Sequence, residues 1–402
     1  MEILMRLILI LFGLMSVNAS AVLTLELTQG VPSAVPVQLK ASDPSANMQR
    51  ILKVIQHDLK TSGYVDPLST KPELVVHLKL EEGSKNILTV NIDEASVESG
   101  THIRSTIDYQ EDLWRAAAHK ASDAIFLQAT GYQGIFSTRL AYVLIDKKAA
   151  NIEYKLQVSD FDGQGASNLL TSREPIMSPA WSPDGKYLVY VSFEGKRASI
   201  WKQTIDSGER EVLAEFPGIN GAPAFSPDGQ SLALVLSKSG APKIHLLNLK
   251  TKALKQLTKG WSIDTEPVFS PDGTRVYFTS NRGGRPQIYA VNLSSKNIMR
   301  QTYQGNYNAG ATLSPKGKTM VMLHREDRLF SIAKQTGNDV VVLAKTNFDE
   351  SPSFAPNGQM IVYATEKNGR KLLSLVSIDG QVQIRLPASD GDVKDPAWSP
   401  FL

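Results

Sequence analysis

The chain has no cysteine among its 402 residues. Disulfides and thiolate metal sites are therefore excluded, and the absence fits an oxidising compartment. Long apolar runs are missing too. The one mostly apolar stretch near the N-terminus, Leu7–Val17, is too short to span a bilayer, since a spanning helix needs roughly 20 residues. No Lys/Arg-rich run and no basic stripe with interleaved aromatics occurs, and the net charge is only +3. Nucleic-acid binding is thereby disfavoured. Histidine is scarce. His57, His77, His102, His119, His245 and His324 never pair at a metal-ligand spacing, which argues against zinc. No Gly-x-Ser-x-Gly stretch is present, so there is no nucleophile elbow of a hydrolase.

What is present begins with a leader pattern. Arg6 precedes Leu7–Val17, and Ala19-Ser20-Ala21 follows. Small residues in that arrangement mark a signal-peptidase site. The expectation is a signal peptide over residues 1–21, cleaved after Ala21, and a mature chain starting at Val22.

The rest is organised around one repeat. Pro179-Ala180-Trp181-Ser182-Pro183-Asp184-Gly185 recurs as Pro223–Gly229 and Pro267–Gly273, and more weakly as Ala311–Gly317 and Pro352–Gly358. A sixth copy, Pro396-Ala397-Trp398-Ser399-Pro400, runs into the C-terminus. The anchors Ser182, Ser226, Ser270, Ser314, Ala355 and Ser399 step by 44 residues, once by 41. Such a period signifies a solenoid, propeller or array. Pro ends a strand because it cannot donate to a ladder, and Asp-Gly supplies the tight turn. Each copy is followed by three further strand-like runs, for example Tyr187–Ser192, Ser199–Gln203 and Val212–Leu213. Four strands per unit make a propeller blade. The sixth copy has only its first strand. Leu140–Ile145, Lys155–Val158 and Asn168–Thr171 supply the other three, so the C-terminal strand closes the ring and removes its free edges. Trp181, Phe225, Phe269, Leu313, Phe354 and Trp398 are periodic and read as inter-blade core.

Upstream, residues 22–133 read as a small α/β domain. Val22–Gly30 alternates like a strand, and Val35–Leu39 is a second. Met48–Leu59 carries a helical stripe ended by Gly63. Glu73–Leu80 and Ile87–Ile92 form a hairpin, followed by a strand at Ile103–Tyr109. Asp112–Thr130 is the strongest helix, with Leu113, Ala116, Ala117, Ala121, Ala124, Ile125 and Leu127 on its apolar face and Gly131 as its stop. The expected fold is thus mainly β: an α/β N-terminal domain over 22–133 and a six-bladed β-propeller over 134–402, closed by the C-terminal strand.

Several near-motifs carry little. Ser314–Thr319 ends like a phosphate loop, but Thr312 stands where its first glycine belongs. Gly163-Gln164-Gly165 lacks the last glycine of a dinucleotide string. Asp160-Phe161-Asp162-Gly163 lacks the later ligands of a calcium loop. All three read as strand turns. The residues just ahead of each repeat differ in kind. Met177-Ser178, Asn220-Gly221-Ala222, Asp264-Thr265-Glu266, Asn308-Ala309-Gly310, Asp349-Glu350-Ser351 and Lys394-Asp395 are mostly polar or small. All precede the innermost strand and ring one mouth of the channel, a plausible docking face.

The repeats, with Asn220–Gly229, Gly284-Arg285-Pro286-Gln287-Ile288-Tyr289, Tyr154–Gly163 and the truncated last copy, resemble the TolB family. These are periplasmic propellers of the Tol-Pal cell-envelope system of Gram-negative bacteria. The resemblance is close over the propeller, loose over residues 22–110 and closer again at Trp114–Gly134. It implies a non-enzymatic scaffold, without cofactor, that supports outer-membrane integrity and envelope constriction during division. It implies a propeller mouth that binds the peptidoglycan-associated lipoprotein Pal. The Pal face would comprise Met177, Ser178, Asn220, Gly221, Ala222, Thr265, Glu266, Asn308, Ala309, Asp349, Glu350, Lys394 and Asp395. Of these, Ala222, Thr265 and Glu266 lie within matching motifs. Ile219 stands where enterobacterial members carry His. The resemblance further implies that the mature N-terminal segment, Val22, Leu23, Thr24, Leu25, Glu26 and Leu27, binds the C-terminal domain of TolA. Other outer-membrane proteins are further candidate partners, and the unbound chain is expected to be a monomer. Two other readings stand beside this one. A hydrolase propeller, or its regulatory domain, needs an activated side chain in the channel. A glycan-binding propeller needs exposed aromatics at the mouth, for which Trp261, Tyr303 and Tyr307 are the candidates.

Overall fold

A computed structural model describes residues 24–27, 34–96, 103–147, 151–326, 329–345, 350–387 and 391–402. Ala21, the expected cleavage residue, lies outside the described residues together with Val22, Leu23 and Asp349. For Thr24–Leu27 only the strand is described.

The N-terminal unit is a mixed sheet with two helices packed against each other. After β1 (Thr24–Leu27), which pairs elsewhere, its elements are β2 (Val35–Ala41), α1 (Ala46–Ser62), β3 (Val65–Asp66), β4 (Leu74–Glu81), β5 (Asn86–Glu94), β6 (Ile103–Tyr109) and α2 (Trp114–Thr130). The sheet order is β3-β2-β4-β5-β6. β2 runs parallel to both neighbours, and β4, β5 and β6 form an antiparallel meander. Alternation in β4 turns Leu74, Val76, Leu78 and Leu80 inward. The Ser45 side chain caps α1 by accepting from Met48 N at 3.2 Å, and so starts the helix before the apolar stripe does. Gly63 and Gly131 end the helices in the left-handed region, at φ 73° and 74°. The apolar face expected for α2 is shifted. Leu113 and Leu127 are half exposed, while Ala117, Ala118, Ala121, Ile125 and Phe126 are buried. The helix faces α1 on one side and the propeller on the other, so its buried arc also takes in His119 and Ser122.

The propeller has six blades. Four are consecutive, with innermost strands Ile176–Trp181, Asn220–Phe225, Asp264–Phe269 and Tyr307–Leu313. The fifth begins at Glu350–Phe354. The closing blade pairs Asp392–Trp398 with Arg139–Asp146, then Glu153–Asp160 and Ser167–Ser172. Its register sets Trp398 opposite Leu140 and Val393 opposite Leu144. The ring is therefore zipped by the two ends of the repeat region. β1 adds to the outer edge of blade five, with Thr24 opposite Arg385 and Leu27 opposite Val382.

The repeat residues build one turn many times over. In blade one, Ser182 Oγ donates to Asp184 Oδ1 at 2.6 Å and accepts from Tyr187 N at 2.9 Å. Gly185, at φ 70°, returns its N–H to the Ser182 carbonyl. A Cβ on Gly358 would approach Pro315 Cδ to 3.0 Å, so that turn seats its glycine on the previous blade's proline. Trp181 Nε1 donates to Ala397 O at 3.0 Å, and Trp398 Nε1 to Thr138 Oγ1 at 2.7 Å. Both rings are buried between blades.

The two units share a core. Phe161, in the turn once comparable to a calcium loop, is buried edge-on against His119 and Phe136. Its flanking carboxylates bind the N-terminal unit. Arg115 meets Asp160 and Asp162 at 2.6 Å each, and His119 lies 2.8 Å from Asp58.

Candidate functional site: the channel mouth

Each innermost strand breaks its register near its start. The shifts fall at Met177/Ala180, Gly221/Ala224, Thr265/Val268, Ala309/Thr312, Glu350/Ser353 and Lys394/Ala397. The bulged residue is left-handed every time: Ser178, Ala222, Glu266, Gly310, Ser351 and Asp395, with φ between 42° and 58°. A non-glycine residue in that region is strained, and repeated strain at one place points to function. Bulges re-aim what a strand presents. Here the six residues line the mouth of a central channel of about 720 Å³.

Neighbouring blades are laced together at this ring. Ser178 N donates to Asp395 Oδ2 at 3.1 Å. Gly310 N donates to Glu266 Oε2 at 2.9 Å, and Thr279 Oγ1 donates to the same oxygen at 2.6 Å. Ser351 Oγ donates to Asp395 Oδ1 at 3.3 Å, and within blade five Lys371 Nζ donates to Glu350 Oε1 at 3.1 Å.

The residues named from sequence thus separate into two sets. Ser178, Gly221, Ala222, Thr265, Glu350, Lys394 and Asp395 are partly exposed, and Glu266 is exposed. Met177 is half-buried beside them. Asn220, Asn308 and Ala309 are buried at 1%, 0% and 3% exposure. The Asn220 amide donates to Phe216 O at 2.6 Å, and its oxygen accepts from Phe216 N. Asn308 donates to Gln287 and Gln304 and meets His324 Nδ1 at 2.8 Å. These asparagines fasten the loops above the ring and present no side chain to the channel. Asp264 does the same work with a charge. Burial opposes its ionisation, but hydrogen bonds from Ser280, Thr258 and Arg282 prevail, and its pKa lies below the usual carboxylate range. The buried Lys243 stands 3.4 Å away.

Gly310 and Ser351 complete the ring, although the Pal face that the resemblance implies does not include them. Their signal was the same step of 44 or 41 residues that marked the others. Among the described residues, no three His, Asp or Glu side chains are arranged to hold a metal. Among them also, no helix is long and apolar enough to cross a membrane.

The family model described as "TolB beta propeller domain" matches residues 126–402. This chain belongs to the TolB family. It is 49% identical over 411 residues to the Tol-Pal system protein TolB of Legionella pneumophila strain Corby, covering 98% of each chain. It is also 49% identical over 432 residues to the Tol-Pal system protein TolB of Pseudomonas aeruginosa, covering 100% of each. The crystal structure of TolB from Acinetobacter baumannii superposes with a TM-score of 0.87 at 36% identity, covering 94% of this chain and 100% of that one. The family is a non-enzymatic component of the Tol-Pal system of the cell envelope, so this chain acts through protein partners in that system. The hydrolase reading is set aside on that ground.

Proposed function

We propose that this chain is a periplasmic scaffold with two protein-binding surfaces. The propeller mouth binds Pal, and the segment Val22–Leu27 binds the C-terminal domain of TolA. The leader over residues 1–21 is removed after Ala21, the α/β domain spans 22–133, and the propeller spans 134–402. The observation that carries the reading is the ring of six left-handed residues at the mouth. Such a strained, repeated rim suits recognition of a protein partner. β1 supports the second surface. It is a four-residue strand at the outer edge of blade five, and such an edge strand can transfer to a partner's sheet.

Calorimetry with the soluble domains of both partners tests the proposal. Ala222→Arg fills the mouth and should abolish Pal binding while leaving TolA binding intact. Deleting Val22–Leu27 should do the reverse. Undiminished Pal binding by Ala222→Arg removes the mouth from the reading, and undiminished TolA binding by the truncated chain removes the segment.

A further inference from the structure

The mouth is not symmetric outside its ring. Three residues before each left-handed position stand Pro175, Ile219, Ile263, Tyr307, Phe348 and Asp392. Ile219 and Ile263 are each 49% exposed, and Trp261 in the same loop as Ile263 is 99% exposed. Large apolar side chains grouped on one rim are unusual on a free surface. Beside Ile219 opens a groove of about 550 Å³ between blades one and two, lined by Met177, Phe193, Pro217 and Ala222. Arg197 stands on its edge.

Charge follows the same arc. The exposed cations Lys196, Arg197, Lys238, Lys259 and Arg285 sit on the mouth-side loops of blades one to three. None faces a carboxylate among the described residues. Lys238 Nζ lies 4.5 Å over the Phe216 ring, and Arg285 donates to Asn306. Of the exposed carboxylates in these loops, Glu194 is paired with Arg210, and Glu174 and Glu215 lack a cation among the described residues, which leaves five cations against two carboxylates. The seam of blade five and the closing blade differs in degree. There Lys147 pairs with Asp392, Lys371 with Glu350 and Lys394 with Asp395, and the exposed Arg370 faces no carboxylate among the described residues.

We infer that the partner at the mouth lands off-centre, on blades one to three. It presents an acidic protein face, with an apolar side chain seated in the groove beside Ile219 and carboxylates set against Arg197, Lys238, Lys259 and Arg285. A concave groove that admits side chains suits a folded protein better than a planar anionic membrane. Apolar anchors slow dissociation, whereas rim charges act on association and salt dependence. The inference rests on the mouth-docking reading above.

The test uses the full mature chain and the soluble domain of Pal as the probe, with association and dissociation rates followed across salt concentration. The double variant Arg197→Glu, Lys238→Glu should associate about tenfold more slowly at low salt, with the gap closing as screening increases. Trp261→Ala and Ile219→Asp should dissociate roughly tenfold faster. Arg370→Glu, an exposed mouth-side cation on blade five, should bind like wild type. Thermal melts confirm folding of each variant. If the blade one-to-three variants bind normally while Ala222→Arg does not, the off-centre footprint is overturned and the mouth reading stands. If Ala222→Arg also binds normally, both fail. Equal losses from Arg370→Glu and the double variant would indicate undirected attraction and overturn the footprint. So would unchanged Pal binding together with loss, in the double variant, of wild-type binding to anionic phospholipid vesicles.

Discussion

Glu266 is exposed at the mouth, yet its carboxylate is occupied. One oxygen accepts from both Gly310 N and Thr279 Oγ1. The side chain therefore positions the next blade's rim residue. Glu266→Gln keeps an acceptor at that place and should retain both melting temperature and Pal affinity. Glu266→Ala leaves the Gly310 N–H only the Thr279 hydroxyl, 3.1 Å away, as acceptor and should cost about 0.5–1.5 kcal/mol of stability. It should weaken Pal binding as well, because Gly310 loses its shorter tether. Calorimetry and thermal melts of the two variants separate these effects. A full loss of affinity in Glu266→Gln would show that a partner reads the charge itself. Asn220 and Asn308 illustrate what sequence could not disclose. Both are short polar residues in loop-like surroundings, as contact residues are. Only the pairing shows that the position two residues before the left-handed one points into the blade and is spent on its own loop.

At the scale of elements, the repeat was legible because proline, serine, aspartate and glycine each have one use in it. Proline ends a strand, serine and aspartate tie the turn, and glycine takes the positive φ. The bulge was legible in principle as well: Ser178, Ala222, Glu266, Ser351 and Asp395 all directly precede proline. The turn at Asp160–Gly163 was not. Nothing local indicates that its carboxylates meet Arg115 and His119 from a helix about 45 residues earlier, since that contact is made by the fold. This turn yields a pH prediction. Burial opposes the His119 charge, but hydrogen bonds to Asp160 and Asp58 outweigh it and push its pKa up to about 9. A histidine with a raised folded-state pKa stabilises the fold fully below its unfolded value near 6.5, and that contribution is lost as pH rises through 9. The melting temperature should therefore fall between pH 6.5 and 9 more steeply in wild type than in His119→Gln. Parallel slopes would mean that the ion pairs at this turn contribute nothing to docking of the two units.

At the scale of the whole molecule, three dependencies converge on the closing blade. Its innermost strand is the C-terminal Asp392–Trp398, and its remaining strands come from the start of the repeat region. Trp398 ties that strand to Thr138, in the segment leading out of α2. The turn that clamps the N-terminal unit, Asp160–Gly163, follows the third strand of the same blade. Ring closure and domain docking are thus mechanically one event. Deleting Asp395–Leu402 removes most of the zipped strand together with the Trp398 side chain, which is 6% exposed. It leaves the edges of Arg139–Asp146 and of blade five unpaired or uncovered. It also removes Asp395, the acceptor for Ser178 and Ser351, so the mouth ring loses its seam. The truncated chain should aggregate or be degraded, and whatever remains soluble should show early proteolysis at the junction of the two units near residues 131–138. Trp398→Ala, which leaves the backbone in place, should instead stay monomeric and lose roughly 3–5 kcal/mol. Size-exclusion chromatography with light scattering and limited proteolysis distinguish the two. A truncated chain that stays monomeric with an unchanged melting temperature would mean that the ring does not depend on its C-terminal strand, and the coupling of closure to docking would fall with it.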